Sequence, residues 1–248
     1  MRGTTIAAVA AGLSLFGAYA YAQVASDSPH IVAALKDAAR PKADSDRDAL
    51  RMPAAMLAYG QVKPGMTIAE LIPGGGYFTR IFSKAVGPSG KVYAVINPPA
   101  PGRGGGPPPV PAVRTIAADP NYRNVEVIEP VATFKVPRPV DLVWTSQNYH
   151  DVPEAGRAQL NKSVLDALKP GGIYIVLDHS AVPGTPFVAS QHRIDKAIVR
   201  REVEAAGFTF VNESTVLSNP GDDRTKAVFD GAVRGDTDQF ILKFRKGR

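Results

Sequence analysis

Three of the chain's four histidines sit in short polar runs with carboxylates at hand. His150 lies in Asn148-Tyr149-His150-Asp151, His179 in Asp178-His179-Ser180, and His192 in His192-Arg193-Ile194-Asp195. Imidazole titrates near neutral pH and can act as a general base, and a carboxylate partner sets its tautomer and raises its basicity. That chemistry suits removal of a proton from an O–H or N–H nucleophile. His150 is the first choice as base and His179 the second, with Asp151 or Asp178 orienting a ring. Tyr149 and Asn148 would position a substrate, and Arg193 could grip an anionic group bidentately. His192, placed at the head of an expected helix, would contact the substrate too, although Asp195 three residues on could simply pair with it on one helical face. The same imidazoles and carboxylates could ligate a divalent metal. No His-x-His or His-x₃-His spacing marks such a site, and none is assigned. The fourth histidine, His30, reads as a surface residue.

A second stretch, MTIAELIPGGGYFTR, spans residues 66–80. Its apolar run ends in Glu70, passes Ile72 and Pro73, and meets Gly74, Gly75 and Gly76 before a segment headed by Tyr77 and Phe78. Glycine permits positive φ and leaves no Cβ to block a close approach. The helix start behind the turn would aim free N–H groups and partial positive charge at a ligand above it.

The elements that must carry these residues alternate. Expected strands are 67–72, 91–96, 125–128, 141–145 and 173–177, with helices at 77–86, 157–168 and 191–206 and a closing antiparallel pair at 208–214 and 240–244. The first strand, helix and strand form a βαβ unit. Short apolar strands alternating with helices imply a sheet buried on both faces, an α/β doubly wound fold whose ligands sit at the carboxyl ends of the strands. All three histidine runs follow strands or head a helix on that edge. Residues 97–111, NPPAPGRGGGPPPVP, suit neither helix nor sheet interior, because proline lacks the donor and glycine the stiffness. They read as an insertion near the crevice.

The first 22 residues carry Arg2, the apolar run Ile6–Gly17 and an Ala20-Tyr21-Ala22 site of small-x-small type. This is the form of a secretory signal peptide cleaved after Ala22, and the apolar run is too short for a permanent span. Residues 23–45 read as a helical or linker segment, and 46–248 as the main domain. A formal net charge of +6 is spread diffusely, with no aromatic-and-basic reading motif, so nucleic acid is not an expected partner. The absence of cysteine excludes disulfides and thiolate chemistry.

The ordered set KPGMTIAELIPGGGYFTR, GKVYAVIN, DLVWTSQNYHDV, ALKPGGIYIVLDH and VEAAGF, followed by a terminal strand pair, resembles the class I S-adenosylmethionine-dependent methyltransferases. Within them it looks most like the exported bacterial predicted methyltransferases that share NYHD, DH and HRID segments. The resemblance covers about residues 45–248 and implies a Rossmann-like, seven-stranded, mostly parallel sheet with helices on both faces and an antiparallel last strand. It also implies S-adenosylmethionine as cofactor and a small-molecule substrate, while the signal peptide implies a periplasmic or secreted location. Cofactor contacts would come from Glu70, Gly74, Gly75, Gly76, Tyr77 and Asn97. Two positions depart from the family pattern. Ile72 replaces the first glycine of the turn, where a positive φ would be strained by about 1–2 kcal/mol. Asn97 replaces the carboxylate that grips the ribose diol, offering one acceptor oxygen and a donor. A non-methylating binding protein, or a metal-dependent enzyme built on His150, His179 and His192, are the alternatives on the same fold.

Overall fold

A computed structural model of the chain describes residues 27–99 and 108–248. The expected signal peptide and most of the proline- and glycine-rich insertion lie outside those residues. Among the described residues four short helices come first: α1 (Pro29–Leu35), α2 (Lys42–Ser45), α3 (Asp48–Arg51) and α4 (Pro53–Tyr59). Then follow β1 (Thr67–Leu71), α5 (Tyr77–Val86), β2 (Lys91–Val95), α6 (Ala112–Ala118), β3 (Val125–Ile128) and β4 (Val140–Ser146). The second half contains α7 (Glu154–Ala167), β5 (Leu168–His179), α8 (Lys196–Ala205), β6 (Phe208–Ser214) and β7 (Gln239–Lys246). Among the described residues no helix is long and apolar enough to cross a membrane.

The seven strands form one sheet in the order β3-β2-β1-β4-β5-β7-β6. β1 to β5 run parallel, while β7 runs antiparallel to both β5 and β6. The seven-stranded expectation is met. Every residue of β1 is buried, and β4 is buried at all but its second and last positions, as a strand covered by helices on both faces requires. One apolar cluster lies between the sheet and α1, α4, α5 and α6, where Trp144 meets Phe78 and Phe82 at ring distances of 5.1 and 5.3 Å. The other lies beneath α7 and α8, around Tyr174, Phe208 and Phe244.

The segment before residue 46 is tied into this domain. Ile31 and Ala34 of α1 are buried in the first cluster, and His30, expected at the surface, reaches the Val62 carbonyl through Nε2 at 2.9 Å. Farther along, the helix expected from residue 191 starts only at Lys196. Asp195 is its N-cap, its carboxylate accepting from the Ala197 N–H at 2.9 Å. His192 therefore precedes the helix, in a left-handed turn at φ 52°. The chain behind it is pinned to the end of β5, with the Ile194 N–H donating to the His179 carbonyl at 3.0 Å.

Candidate functional site

The strand ends of β1 and β4 open into a cleft. Its floor is the turn after β1. The Ile72 N–H still follows the sheet, donating to the Val95 carbonyl at 2.8 Å, and the chain then turns sharply with φ of 51° at Ile72, 55° at Gly74 and 79° at Gly76. The β-branched Ile72 thus occupies the left-handed region that its side chain disfavours, and the turn holds about 1–2 kcal/mol of strain there. Asn148 braces it, donating through Nδ2 to the Ile72 carbonyl at 2.9 Å and to the Ser146 carbonyl at 2.6 Å. A Cβ added at Gly76 would lie 2.2 Å from Ile116 Cδ1 of α6, whereas one at Gly74 or Gly75 would meet nothing within 4 Å. The tight packing is behind the turn; its ligand side is bare backbone.

Glu70 is buried at the cleft wall, accepting from Thr79 Oγ1 at 2.5 Å. Burial pushes its carboxyl up to about 7, against the opposing pull of the Thr79 hydrogen bond and of Arg51 and Arg80. The opposite wall comes from the N-terminal helices. Arg47 and Arg51 line the cleft there, and Arg51 donates to Gln147 Oε1 at 3.0 Å and lies 4.8 Å from the Tyr77 ring centre. Burial, reinforced by the neighbouring Arg47 charge, pushes the Arg51 guanidinium down to about 10. Tyr77 is itself clamped by this arm, its hydroxyl donating to Asp48 Oδ1 at 2.6 Å, while Arg40 grips Asp48 through two bonds of 2.6 and 2.9 Å. Ser146 also lines the cleft, and its buried Oγ has no hydrogen-bond partner. Asn97, two residues past the end of β2, accepts at Oδ1 from the Val131 N–H at 3.2 Å.

Beyond Asn148 the same loop enters a short 3₁₀ turn, Tyr149–Asp151, that carries the histidine cluster. Asp178, fully buried at the end of β5, organises it. Its carboxylate accepts from His150 Nδ1 at 2.6 Å and from the backbone N–H groups of His150 at 2.9 Å and His179 at 2.7 Å. Burial pulls the His150 pKa down, but the Asp178 hydrogen bond and charge outweigh it and the net shift is upward. With Nδ1 directed at Asp178, the Nε2 of His150 is left facing His192 Nδ1, 3.3 Å away. Both nitrogens also face Asp151 Oδ1, at 3.3 and 3.2 Å. His179 differs: burial lowers it to about 4, the nearby Asp178 charge notwithstanding, so it is neutral at pH 7, with Nδ1 2.8 Å from Thr237 Oγ1.

Two expected site residues are occupied elsewhere. The Tyr149 hydroxyl is buried between helices, donating to Glu202 of α8 and accepting from Asn161 of α7, each at 2.8 Å. It anchors the histidine turn and does not present its hydroxyl to the crevice. Arg193 is buried, and its guanidinium is satisfied by the Ser180 carbonyl at 2.9 Å, the Lys226 carbonyl at 2.7 Å and Asp222 Oδ2 at 2.8 Å. A substrate anion would have to displace a fully buried ion pair, so Arg193 is a structural tie between the 192–194 segment and the 219–226 loop. The structure thus brings together Glu70, Gly74, Gly75, Tyr77 and Asn148 at the cleft, and His150, Asp151, Asp178, His179 and His192 beside it. Sequence reasoning missed Arg47, Arg51, Ser146 and Gln147. The spacing of Arg47 and Arg51, four residues apart, was the available signal.

No family model matches the chain, and no curated protein matches it significantly. Solved structures do. A SAM-dependent methyltransferase from Aquifex aeolicus aligns with a TM-score of 0.57 at 20% identity, covering 81% of this chain and 92% of that one. The arsenic(III) S-adenosylmethionine methyltransferase CrArsM from Chlamydomonas reinhardtii aligns at 0.54 and 16%, covering 89% and 74%. The glycopeptide N-methyltransferase MtfA, solved with S-adenosylmethionine, aligns at 0.53 and 14%, covering 82% and 87%. These similarities establish the fold: the chain has the class I, Rossmann-like fold of S-adenosylmethionine-dependent methyltransferases.

Proposed function

We propose that the protein is an S-adenosylmethionine-dependent methyltransferase that acts on a small or medium-sized acceptor outside the cytoplasm. The observation that carries this reading is the cleft over the glycine turn. Its bare Gly74 and Gly75 backbone, a partnerless buried Ser146 Oγ and two cleft-lining arginines make a cradle for a ligand with a carboxylate end. Arg47 and Arg51 are suited to that carboxylate, and Glu70 beside the turn to the ammonium of a methionyl group. The fit is weaker at the ribose, since Asn97 Oδ1 already accepts a backbone bond.

When bound, the cofactor supplies an electrophilic methyl group. The chain's part is to place an acceptor in line and to deal with its proton. Asp178 holds His150 so that its Nε2 lone pair is available to accept that proton, and Asp151 and His192 border the same space. Neutral His179 is the second candidate, with its low basicity against it. The export part of the proposal draws on Arg2, Ile6–Gly17 and Ala20–Ala22, and mature protein beginning at Gln23 would bear it out.

Isothermal titration of the purified protein with S-adenosylmethionine and with its demethylated product provides the test. One equivalent should bind, and Gly75→Leu, whose side chain would project into the cleft, should abolish binding while the protein stays folded. Absence of both heat and a thermal shift with either ligand would overturn the reading.

A further inference from the structure

We propose that His150, Asp151 and His192 form a binding site for a divalent transition metal ion of the Zn²⁺, Co²⁺ or Fe²⁺ type. The three donor atoms, His150 Nε2, His192 Nδ1 and Asp151 Oδ1, form a nearly equilateral triangle with edges of 3.3, 3.2 and 3.3 Å. Donors about 2.0–2.2 Å from one ion, at angles between octahedral and tetrahedral, are separated by about 2.8–3.6 Å. The triangle therefore has the size of one face of a coordination shell before any side chain moves. Two imidazoles and one carboxylate are donors preferred by borderline first-row metals, and a facial arrangement leaves further positions open.

The surroundings fit as well. Metal-bound histidine commonly donates its other N–H to a carboxylate, which fixes the tautomer and strengthens the ligand. His150 does this toward Asp178, whose side chain is fully buried. On the other side the site is open: the side chains of His192 and Asp151 are 33% and 50% exposed, which gives an ion a path in and a ligand a place to bind. His192 is held at φ 52° and its ring packs edge-on against Phe229, centroids 4.8 Å apart. A left-handed histidine held by the neighbouring ties to Ile194 and Arg193 is a constrained feature of the fold. The competing account is a hydrogen-bond triangle in which His192 Nδ1–H is shared between His150 and Asp151. It needs no ion and predicts no stoichiometric metal binding.

Local spacing could not reveal this site, because its third ligand arrives from 42 residues away. An ion there would lower the pKa of a bound hydroxyl or water. In metal-loaded protein an acceptor's proton could then pass to solvent, because His150 Nε2 would be coordinated. The ligand class for the open positions is an oxygen-donor molecule, such as a phenol, hydroxamate or carboxylate.

The test uses the full-length mature protein and the metal alone, without S-adenosylmethionine, so it is independent of the methyltransferase reading. Stripped protein is titrated with Co²⁺, following its visible ligand-field absorption, and with Zn²⁺ and Mg²⁺ by calorimetry. One equivalent of Co²⁺ and of Zn²⁺ should bind, and Mg²⁺ should not compete. Asp151→Asn at an exposed side chain and His192→Ala at a half-buried one, both expected to fold, should each weaken binding at least tenfold. Asp178→Asn should weaken it by about 10–100-fold through the His150 ring. His30→Gln should leave it unchanged. No stoichiometric binding of Co²⁺ or Zn²⁺, or binding that survives His192→Ala, would overturn the site.

Discussion

The cleft over β1 and the histidine cluster beyond β4 sit on one edge of one sheet, yet they are built by different means. The floor of the cleft is made largely of backbone. A strained Ile72, two glycines with positive φ and the bare Gly74–Gly75 surface shape it, and one contiguous run of sequence supplies all of them. The histidine cluster is made of side chains drawn from the ends of β4 and β5 and from the segment before α8. A single buried carboxylate, Asp178, receives three N–H groups to hold it together. A local motif can therefore be changed one atom at a time with local consequences, while a convergent cluster depends on its central acceptor.

Changes at that acceptor should have the largest effect. Asp178→Asn puts an amide where three donors need a charged acceptor, and hydrogen bonds to charged groups contribute about 1.5–3 kcal/mol each. A loss of about 3–5 kcal/mol in urea unfolding is expected, as for breaking a buried charge network. A loss under about 1 kcal/mol would mean that the cluster is not built around Asp178.

Glu70 should behave in the opposite sense. Its folded pKa of about 7 lies above the unfolded value of 4.5, so the folded state holds the extra proton between those pH values. Stability contributed by this group is full below about pH 4.5 and is lost as pH rises through 7. Glu70→Gln removes the buried charge, and should be more stable than the parent at pH 8 by about 2–3 kcal/mol, a difference that closes toward pH 4.5. Parallel urea curves at pH 8 and pH 4.5 would show it. An unchanged gap between the two pH values would place the Glu70 carboxyl in ordinary solvent-like surroundings.

The smallest effects separate the two sides of the glycine turn. Gly76→Ala forces a Cβ into Ile116 and a side chain onto φ 79°, and should destabilise by about 2 kcal/mol. Gly75→Ala meets no atom and carries no positive φ, so its unfolding free energy should move by less than about 0.5 kcal/mol. Equal losses at both positions, read from thermal unfolding, would show that the turn is not divided into a packed side and a ligand side.

Much of the fold was legible because the apolar strands and their turn residues are local signals. The strands 125–128 and 208–214 and the helix 77–86 fall where periodicity places them. Element ends moved where a side chain intervened: Asp195 caps α8 and so frees His192 from the helix that periodicity assigned to it. Residue type alone also suggested crevice roles for both Arg193, as a grip on a substrate anion, and Tyr149. Both are buried, because a guanidinium or phenol satisfied by carboxylates and carbonyls can leave water at little loss.

By itself, the sequence determined the order of strands and helices, the place of the glycine turn and the edge of the sheet where polar residues gather. These follow from hydrophobic period and backbone chemistry, which act between near neighbours. The folded structure alone decided that Ile72 takes the strained φ, that Arg47 and Arg51 close the cleft, and that His192 meets His150 and Asp151 within 3.3 Å. Each of those outcomes depends on packing between segments far apart in the chain, and pattern within a window carries no information about such distances.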